Sequence, residues 1–197
     1  MNLHASRSLP PEYFEAIYRE DDDPWGFETR PYEAAKYKAT LAALPRPRYR
    51  RALEVGCSIG VLTRMLAGRC DGILACDVCE KALDRARERC RDLGDVRFRA
   101  MEVPREFPDG PFDLIILSEV AYYWSPADLA QARSGLVDRL ELGGHLLLVH
   151  WTPFVADYPQ TGDQVHQAFL DSVDAAGLTH RGGGREETYR VDLFEKA

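Results

Sequence analysis

A doubly wound α/β fold on a mostly parallel sheet is the class that this sequence predicts, and three observations predict it. From Arg51 onward, short apolar runs alternate with stretches of helical spacing. The first of those runs ends in a glycine loop, Gly56-Cys57-Ser58-Ile59-Gly60. The last two runs follow one another with no helix between them. Alternation calls for parallel strands joined by right-handed crossovers. A missing final crossover calls for an antiparallel hairpin instead.

Ala52 to Val55 is the first strand, and Leu62, Met65 and Leu66 give the following helix an apolar face. Ile73 to Cys76 is the second strand, followed by a helix striped with Leu83, Ala86, Cys90 and Leu93. Val96 to Arg99 is the third. Phe112 to Leu117 is the fourth, continuous and apolar as a strand buried on both faces should be. Leu129, Ala132, Leu136 and Leu140 stripe a helix expected to stop at Gly143-Gly144, where left-handed backbone is cheap. His145 to Trp151 is the fifth strand. Val165, Phe169, Val173 and Ala176 mark one more helix, before strands at Leu178 to Arg181 and Tyr189 to Phe194 joined by a glycine-rich turn. The expectation is a seven-stranded Rossmann-like sheet, mostly parallel, with an antiparallel C-terminal hairpin strand and helices on both faces.

Residues 1–45 differ in character, being rich in aromatic side chains and turn formers. Pro11 opens a short helix expected to bury Tyr13, Phe14 and Ile17, and Pro31 opens a second running through Leu44. This segment is expected to be a helical cap or lid on a domain of residues 46–197, with one domain overall, as 197 residues suit. The net charge of −7 argues against a nucleic-acid partner. Arg46, Arg48, Arg50 and Arg51 read as a solvated loop before a strand. No apolar run approaches the roughly 20 residues needed to cross a bilayer, so no membrane partner is expected. The start lacks the pattern of a secretory signal, and the five cysteines read as reduced thiols of a cytoplasmic protein. Cys76 and Cys79 have metal-ligand spacing but lack the second pair that a structural zinc needs, so no metal is expected.

In such sheets ligands bind where the strand order reverses, beside the first strand. Gly56 and Gly60 let the backbone turn and a ligand approach without meeting a side chain, and Cys57 contributes backbone only. Asp77 ends the second strand, seventeen residues beyond Gly60. A carboxylate there is placed to accept hydrogen bonds from both hydroxyls of a ribose. The rival, a nicotinamide site, wants Gly-x-Gly-x-x-Gly, which Ser58 and Val61 break. Trp25, Tyr32 and Tyr37 either close over a ligand or pack across the sheet edge, and Lys36 either meets a cofactor carboxylate or stays solvated. Tyr122, Tyr123 and Trp124 follow the fourth strand as a cluster suited to stacking on a sugar ring. His150 ends the fifth strand on the rim shared with Glu119. It is read either as a base for the acceptor or as a hydrogen-bonded buried histidine. His166 is a candidate cap of the same pocket.

These residues resemble the class I S-adenosylmethionine-dependent methyltransferases over most of the chain. Glu54 to Gly60 is similar to the family's first motif, with Ser58 in place of its commonest central glycine. Asp77, with Val78 beside it, matches the acid that binds the ribose. Met101-Glu102 resembles the pair that holds adenine by a backbone donor and a carboxylate. Phe112-Asp113-Leu114-Ile115 through Ser118-Glu119-Val120 resembles the fourth motif, whose strand end lies under the methionine moiety. A narrower resemblance is to the nodulation protein S family, which N-methylates a glucosamine residue of chitooligosaccharides. It rests on Asp23-Pro24-Trp25 and on Glu119-Val120-Ala121-Tyr122-Tyr123.

The resemblance implies S-adenosylmethionine as cofactor, S-adenosylhomocysteine as product, and a small-molecule acceptor, an amine such as that of an amino sugar. It implies cofactor contacts at Trp25, Glu54, Gly56, Cys57, Gly60, Asp77, Val78, Met101, Glu102, Ser118 and Glu119. Glu119, Tyr122 and His150 are the candidate catalytic side chains, with Glu119 or His150 as base if its pKa is high. A small-molecule O-methyltransferase and a non-catalytic nucleoside-binding module are the alternatives.

Overall fold

The computed structural model describes residues 7–197. Its sheet has seven strands in the order β3-β2-β1-β4-β5-β7-β6. They are β1 (Ala52–Val55), β2 (Ile73–Asp77), β3 (Val96–Ala100), β4 (Phe112–Ser118), β5 (Leu140–Trp151), β6 (Leu178–Arg185) and β7 (Tyr189–Lys196). The first five run parallel, with β1 between β2 and β4. β7 lies antiparallel to β5, and β6 antiparallel to β7. The predicted fold class holds.

Alternate residues of the central strands feed two cores. Val55, Ile115, Leu117, Leu146 and Leu148 face α5 (Pro126–Arg139) and α6 (Gly162–Leu170). Ala52, Ala75, Leu114, Ile116 and Leu147 face α2 (Pro31–Ala42), α3 (Val61–Leu66) and α4 (Glu80–Arg89). Ser125 caps α5 by accepting a hydrogen bond from Asp128 N–H, with Pro126 in the first turn. Thr161 and Gln164 form a capping box on α6.

Four local expectations are corrected. Helix α5 ends at Arg139 rather than at Gly143-Gly144, because Lys196 Nζ donates to the carbonyls of Val137 (2.7 Å) and Leu140 (2.8 Å). A side chain from β7 thus supplies the cap expected of a glycine. Helix α6 stops at Leu170, short of Val173 and Ala176. Of α1 (Pro11–Glu20), the fully buried residue is Tyr18, not Tyr13, Phe14 or Ile17. The glycine run Gly182-Gly183-Gly184 lies within β6, and the turn is Glu186-Glu187-Thr188. A Cβ at Gly183 would fall on the Asp192 carboxylate, so the run makes room beside a neighbouring strand.

No helix among the described residues is long and apolar enough to cross a membrane. All five cysteines are free and buried. The arginine run is engaged locally: Arg46 donates to Gly143 O (2.7 Å), Arg48 pairs with Asp71, Arg50 with Glu141, and Arg51 donates to Asp109 O (3.0 Å).

Candidate active site

The loop after β1 is held open by left-handed backbone at Gly56 (φ 78°), Ser58 (φ 52°) and Gly60 (φ 76°). Gly56 N–H and Cys57 N–H both donate to Cys76 O, fastening the loop to β2. A Cβ on Gly56 would lie 2.8 Å from Val120 Cβ. Asp77 organises the other side: Oδ2 accepts Ser58 N–H (2.9 Å) and Oδ1 accepts Cys79 N–H (3.0 Å). Burial raises its pKa, and backbone donors from Cys79, Ser58 and Val78 work against that rise. Each oxygen keeps a second lone pair for a ligand. Tyr18, from α1, is hydrogen-bonded through its hydroxyl to Ser58 Oγ, so the N-terminal segment reaches into this loop.

These residues wall a crevice of about 130 Å³. Trp25, Gly56, Asp77, Val78, Met101 and Glu102 all line it, with Glu119 at one end. Beside it, Glu54, Cys57 and Ser118 line a smaller niche that also touches Gly56 and Glu119. Glu54 is buried, and its Oε2 has no hydrogen-bond partner among the described residues. Burial pushes its pKa up to about 8. Cys57 is buried and its thiol pKa is raised by burial, which suits a backbone role. Gly60 lines neither cavity and instead lets α3 meet α4, since a Cβ there would lie 2.9 Å from Ala86 Cβ. The Met101-Glu102 pair divides its roles. Met101 N–H donates to Asp77 O (3.0 Å), so the free backbone donor beside the crevice must be sought at Glu102. The Glu102 carboxylate is ion-paired with Arg105.

Glu119 is the hub. Its left-handed backbone (φ 55°) costs a non-glycine residue about 1–2 kcal/mol, and four hydrogen bonds hold it there. Its N–H donates to Val149 O (2.9 Å). Lys36 Nζ donates to Oε1 (2.6 Å), while Tyr122 OH (2.7 Å) and Trp151 N–H (2.9 Å) donate to Oε2. Lys36 is only 2 % exposed and also pairs with Glu33 (2.9 Å). Burial disfavours its charge, but Glu119 and Glu33 outweigh that and hold its pKa above the usual lysine value. Lys36 is therefore not solvated, although it contributes to the lining of a cavity beside Glu119. It is the buried counter-ion of two acids.

Glu119 also lines a second, wider basin of about 610 Å³ that shares Trp25 and Phe27 with the crevice. Its walls are aromatic, from Tyr32, Tyr122, Trp151, Tyr158 and Tyr189, and its exposed charged residues are Arg30, Glu186 and Glu187. Tyr122 stacks on Tyr158, with ring centres 5.2 Å apart and planes 8° off parallel. Burial, reinforced by Glu119, raises the Tyr122 pKa well above the usual phenol value, keeping the hydroxyl a donor. His150 does not reach this basin. It is fully buried, lines neither cavity, and its pKa is driven well below the usual imidazole value by burial, with His166 and Lys36 adding to the effect. Its reading as an acceptor-facing base is therefore set aside, and His166, also buried, lines neither the crevice nor the basin.

A sequence profile of the family described as Nodulation protein S (NodS) matches residues 16–149. The chain belongs to the nodulation protein S family. It is 34 % identical to the nodulation protein S of Rhizobium tropici over 128 residues, which is 64 % of this chain and 54 % of that protein. The chain thus spans about half the length of the curated relatives it matches. Among solved structures, a provisionally assigned methyltransferase from Pseudomonas syringae is 34 % identical, with 84 % of this chain and 99 % of that one covered and a TM-score of 0.74. The N-methyltransferase NodS from Bradyrhizobium japonicum, in complex with S-adenosylhomocysteine, superposes with a TM-score of 0.81 at 24 % identity, covering 93 % of this chain and 97 % of that one. The fold is that of the methyltransferases.

Two parts of the site escaped sequence reasoning. Glu33 sits three residues before Lys36 on α2, a spacing indistinguishable from an ordinary surface ion pair. Glu186 and Glu187 were hidden by the adjacent glycine run, which drew the turn to the wrong place. A Glu-Glu-Thr just before an aromatic strand start was the available signal.

Proposed function

We propose that this chain is an S-adenosylmethionine-dependent methyltransferase that N-methylates a small amine, with an amino sugar as the acceptor class. One observation carries the reading: Glu119 stands on the wall of both the crevice beside Asp77 and an aromatic basin lined also by Arg30, Glu186 and Glu187. The residues fit the cofactor on two counts. Gly56 leaves open the space a Cβ would fill against Val120, and Glu54 offers a buried oxygen with no partner. Asp77 would hold the ribose, Glu102 the adenine beside Val78 and Met101, and Glu54, Gly56, Cys57 and Ser118 the methionine end. S-adenosylmethionine supplies an electrophilic methyl group when bound. The family relation supports this, since the Bradyrhizobium japonicum relative is an N-methyltransferase.

The remaining work falls to this chain's side chains. Glu119 and the Tyr122 oxygen accept N–H bonds from the acceptor amine and aim its lone pair toward the crevice. Trp25, Trp151 and Tyr158 offer ring faces to a sugar or an ammonium group and keep water out. All three partners of the Glu119 carboxylate are donors, so it serves as an orienting acceptor. Holding reactants in line is worth on the order of 7–11 kcal/mol. The segment before residue 46, within its described part, acts as the cover over both cavities; residues 1–6 of the expected cap lie outside the described residues.

A screen of amines, amino sugars and hydroxyl compounds with methyl-labelled cofactor, read by mass, tests this. Labelled methyl on the amines is the expected result. Transfer confined to hydroxyl compounds would replace it with O-methylation, and tight cofactor binding without any transfer would leave a non-catalytic module.

A further inference from the structure

The two histidines that leave the acceptor rim form a buried relay with a fixed direction. His150 Nε2 accepts the N–H of Ala121 (3.3 Å), the first residue of the 3₁₀ turn Ala121–Tyr123. His150 Nδ1 meets His166 Nε2 at 3.1 Å, and His166 Nδ1 meets Asp192 Oδ2 at 2.6 Å. A backbone amide only donates, so Nε2 of His150 carries a lone pair and its proton sits on Nδ1. His166 must then accept at Nε2 and carry its own proton on Nδ1, toward the carboxylate. Asp192 is the origin of this order. Arg190 Nε (2.7 Å, to Oδ2) and His180 Nε2 (2.7 Å, to Oδ1) brace it from the strand side.

The fold makes deliberate room for these contacts. A Cβ at Gly162, which begins α6, would fall on Trp151 O and crowd His150 Cβ, so this glycine lets α6 carry His166 onto His150. Gly183 does the same for Asp192 across the hairpin. Both imidazoles are fully buried and Asp192 is nearly so. At its far end the His150 ring also packs edge-on against Tyr122, with centres 5.6 Å apart. Tyr122 in turn donates to Glu119.

We propose that Asp192, His166 and His150 are positioning residues for the acceptor site. The carboxylate sets one tautomer in each ring, and the second ring seats the Ala121–Tyr123 turn so that Tyr122 and Glu119 face the basin. The proposal rests on the reading of that basin as the acceptor site. The relay touches neither cavity, so it passes no proton to a substrate; it transmits geometry.

Spectra of the wild-type protein labelled with ¹⁵N in histidine read the tautomers without any turnover, and both rings are expected as neutral Nδ1–H forms. His166→Phe breaks both bonds of the middle link, whereas His166→Gln keeps an acceptor for His150 and a donor for Asp192. H166F is expected to bind S-adenosylhomocysteine within about twofold of wild type and to lose roughly 100-fold in kcat, the scale on which a misplaced group acts. H166Q is expected to recover most of that loss. An Nε2–H tautomer at either ring, an undiminished kcat in H166F, or an H166Q as slow as H166F would overturn the proposal. The expected tautomers in a protein that methylates nothing would uphold the relay and sink the methyltransferase reading instead.

Discussion

The crevice and the basin meet at Glu119, yet they are built from different material. The crevice is founded on backbone: two strand ends, a glycine loop with three left-handed residues, and Asp77, whose oxygens are both tied to main-chain donors, beneath walls that include Phe14, Tyr18 and Trp25. The basin is side chains, drawn from α2, the turn after β4, the loop after β5 and the Glu186–Thr188 turn. A backbone site tolerates few changes, because altering it disturbs how helices and strands meet. A side-chain site tolerates many, because its residues hang from elements that fold without them. The first half is suited to a ligand shared among relatives, the second to one that differs.

The largest effect expected from this contrast is at Gly60. Alanine there keeps left-handed backbone that costs about 1–2 kcal/mol. Its Cβ would also meet Ala86 Cβ at 2.9 Å and Ala86 Cα at 3.0 Å, so α3 and α4 must separate. Overpacking of this kind adds roughly 1–3 kcal/mol. Urea unfolding of Gly60→Ala should report the sum as a lower midpoint, together with lost cofactor binding. Glu187→Gln, at the exposed mouth of the basin, should stay within about 0.5 kcal/mol of wild type. Equal losses in the two variants would erase the distinction between the regions.

The same contrast explains what was legible in the sequence. Phe112 to Leu117 announces a strand buried on both faces, because such strands need no polar side. Asp77 and the Gly56–Gly60 loop are legible because their spacing follows from strand and crossover lengths. Lys36 and Glu119 lie 83 residues apart, and nothing local says that a helix lysine will be buried against a strand-end acid. His150 was visible as a titratable group at a strand end, but its burial depends on Gly162 bringing α6 close. Long-range packing, rather than local pattern, decides such residues.

Glu54 offers an intermediate effect and a sign. It lies on β1 beside the crevice, with a folded pKa of about 8 against an ordinary value of 4.5. Between those values the unfolded chain has released the proton while the folded protein keeps it, so rising pH favours unfolding. Stability should therefore fall from about pH 4.5 to pH 8 and level off above. Glu54→Gln cannot titrate, and melting curves across this range should show a flatter dependence and a higher melting temperature than wild type at pH 8. The gain there should be on the order of 1–2 kcal/mol, because the amide inherits an unpartnered position that itself costs about 1–3 kcal/mol. Parallel curves for the two proteins would mean that Glu54 is already ionised in the fold.

A smaller effect than that of Glu54 should come from Tyr32, where α2 meets the basin. Thr188 Oγ1 donates to its hydroxyl at 2.9 Å, joining α2 to the hairpin turn across the basin mouth. Its ring rests edge-on against Trp151 and Tyr189, with the Lys36 ammonium 5.2 Å from its centre. Tyr32→Phe keeps those ring contacts and removes one half-buried hydrogen bond, worth about 0.5–1.5 kcal/mol. A chain of this length should then melt roughly 1–6 °C lower. The informative readout is the split between ligands: a few-fold rise in acceptor KM with cofactor affinity unchanged places the contact on the basin side of Glu119. If cofactor affinity fell by the same factor, the two cavities would respond as one rigid unit, and the division between a backbone site and a side-chain site would fail at their shared wall.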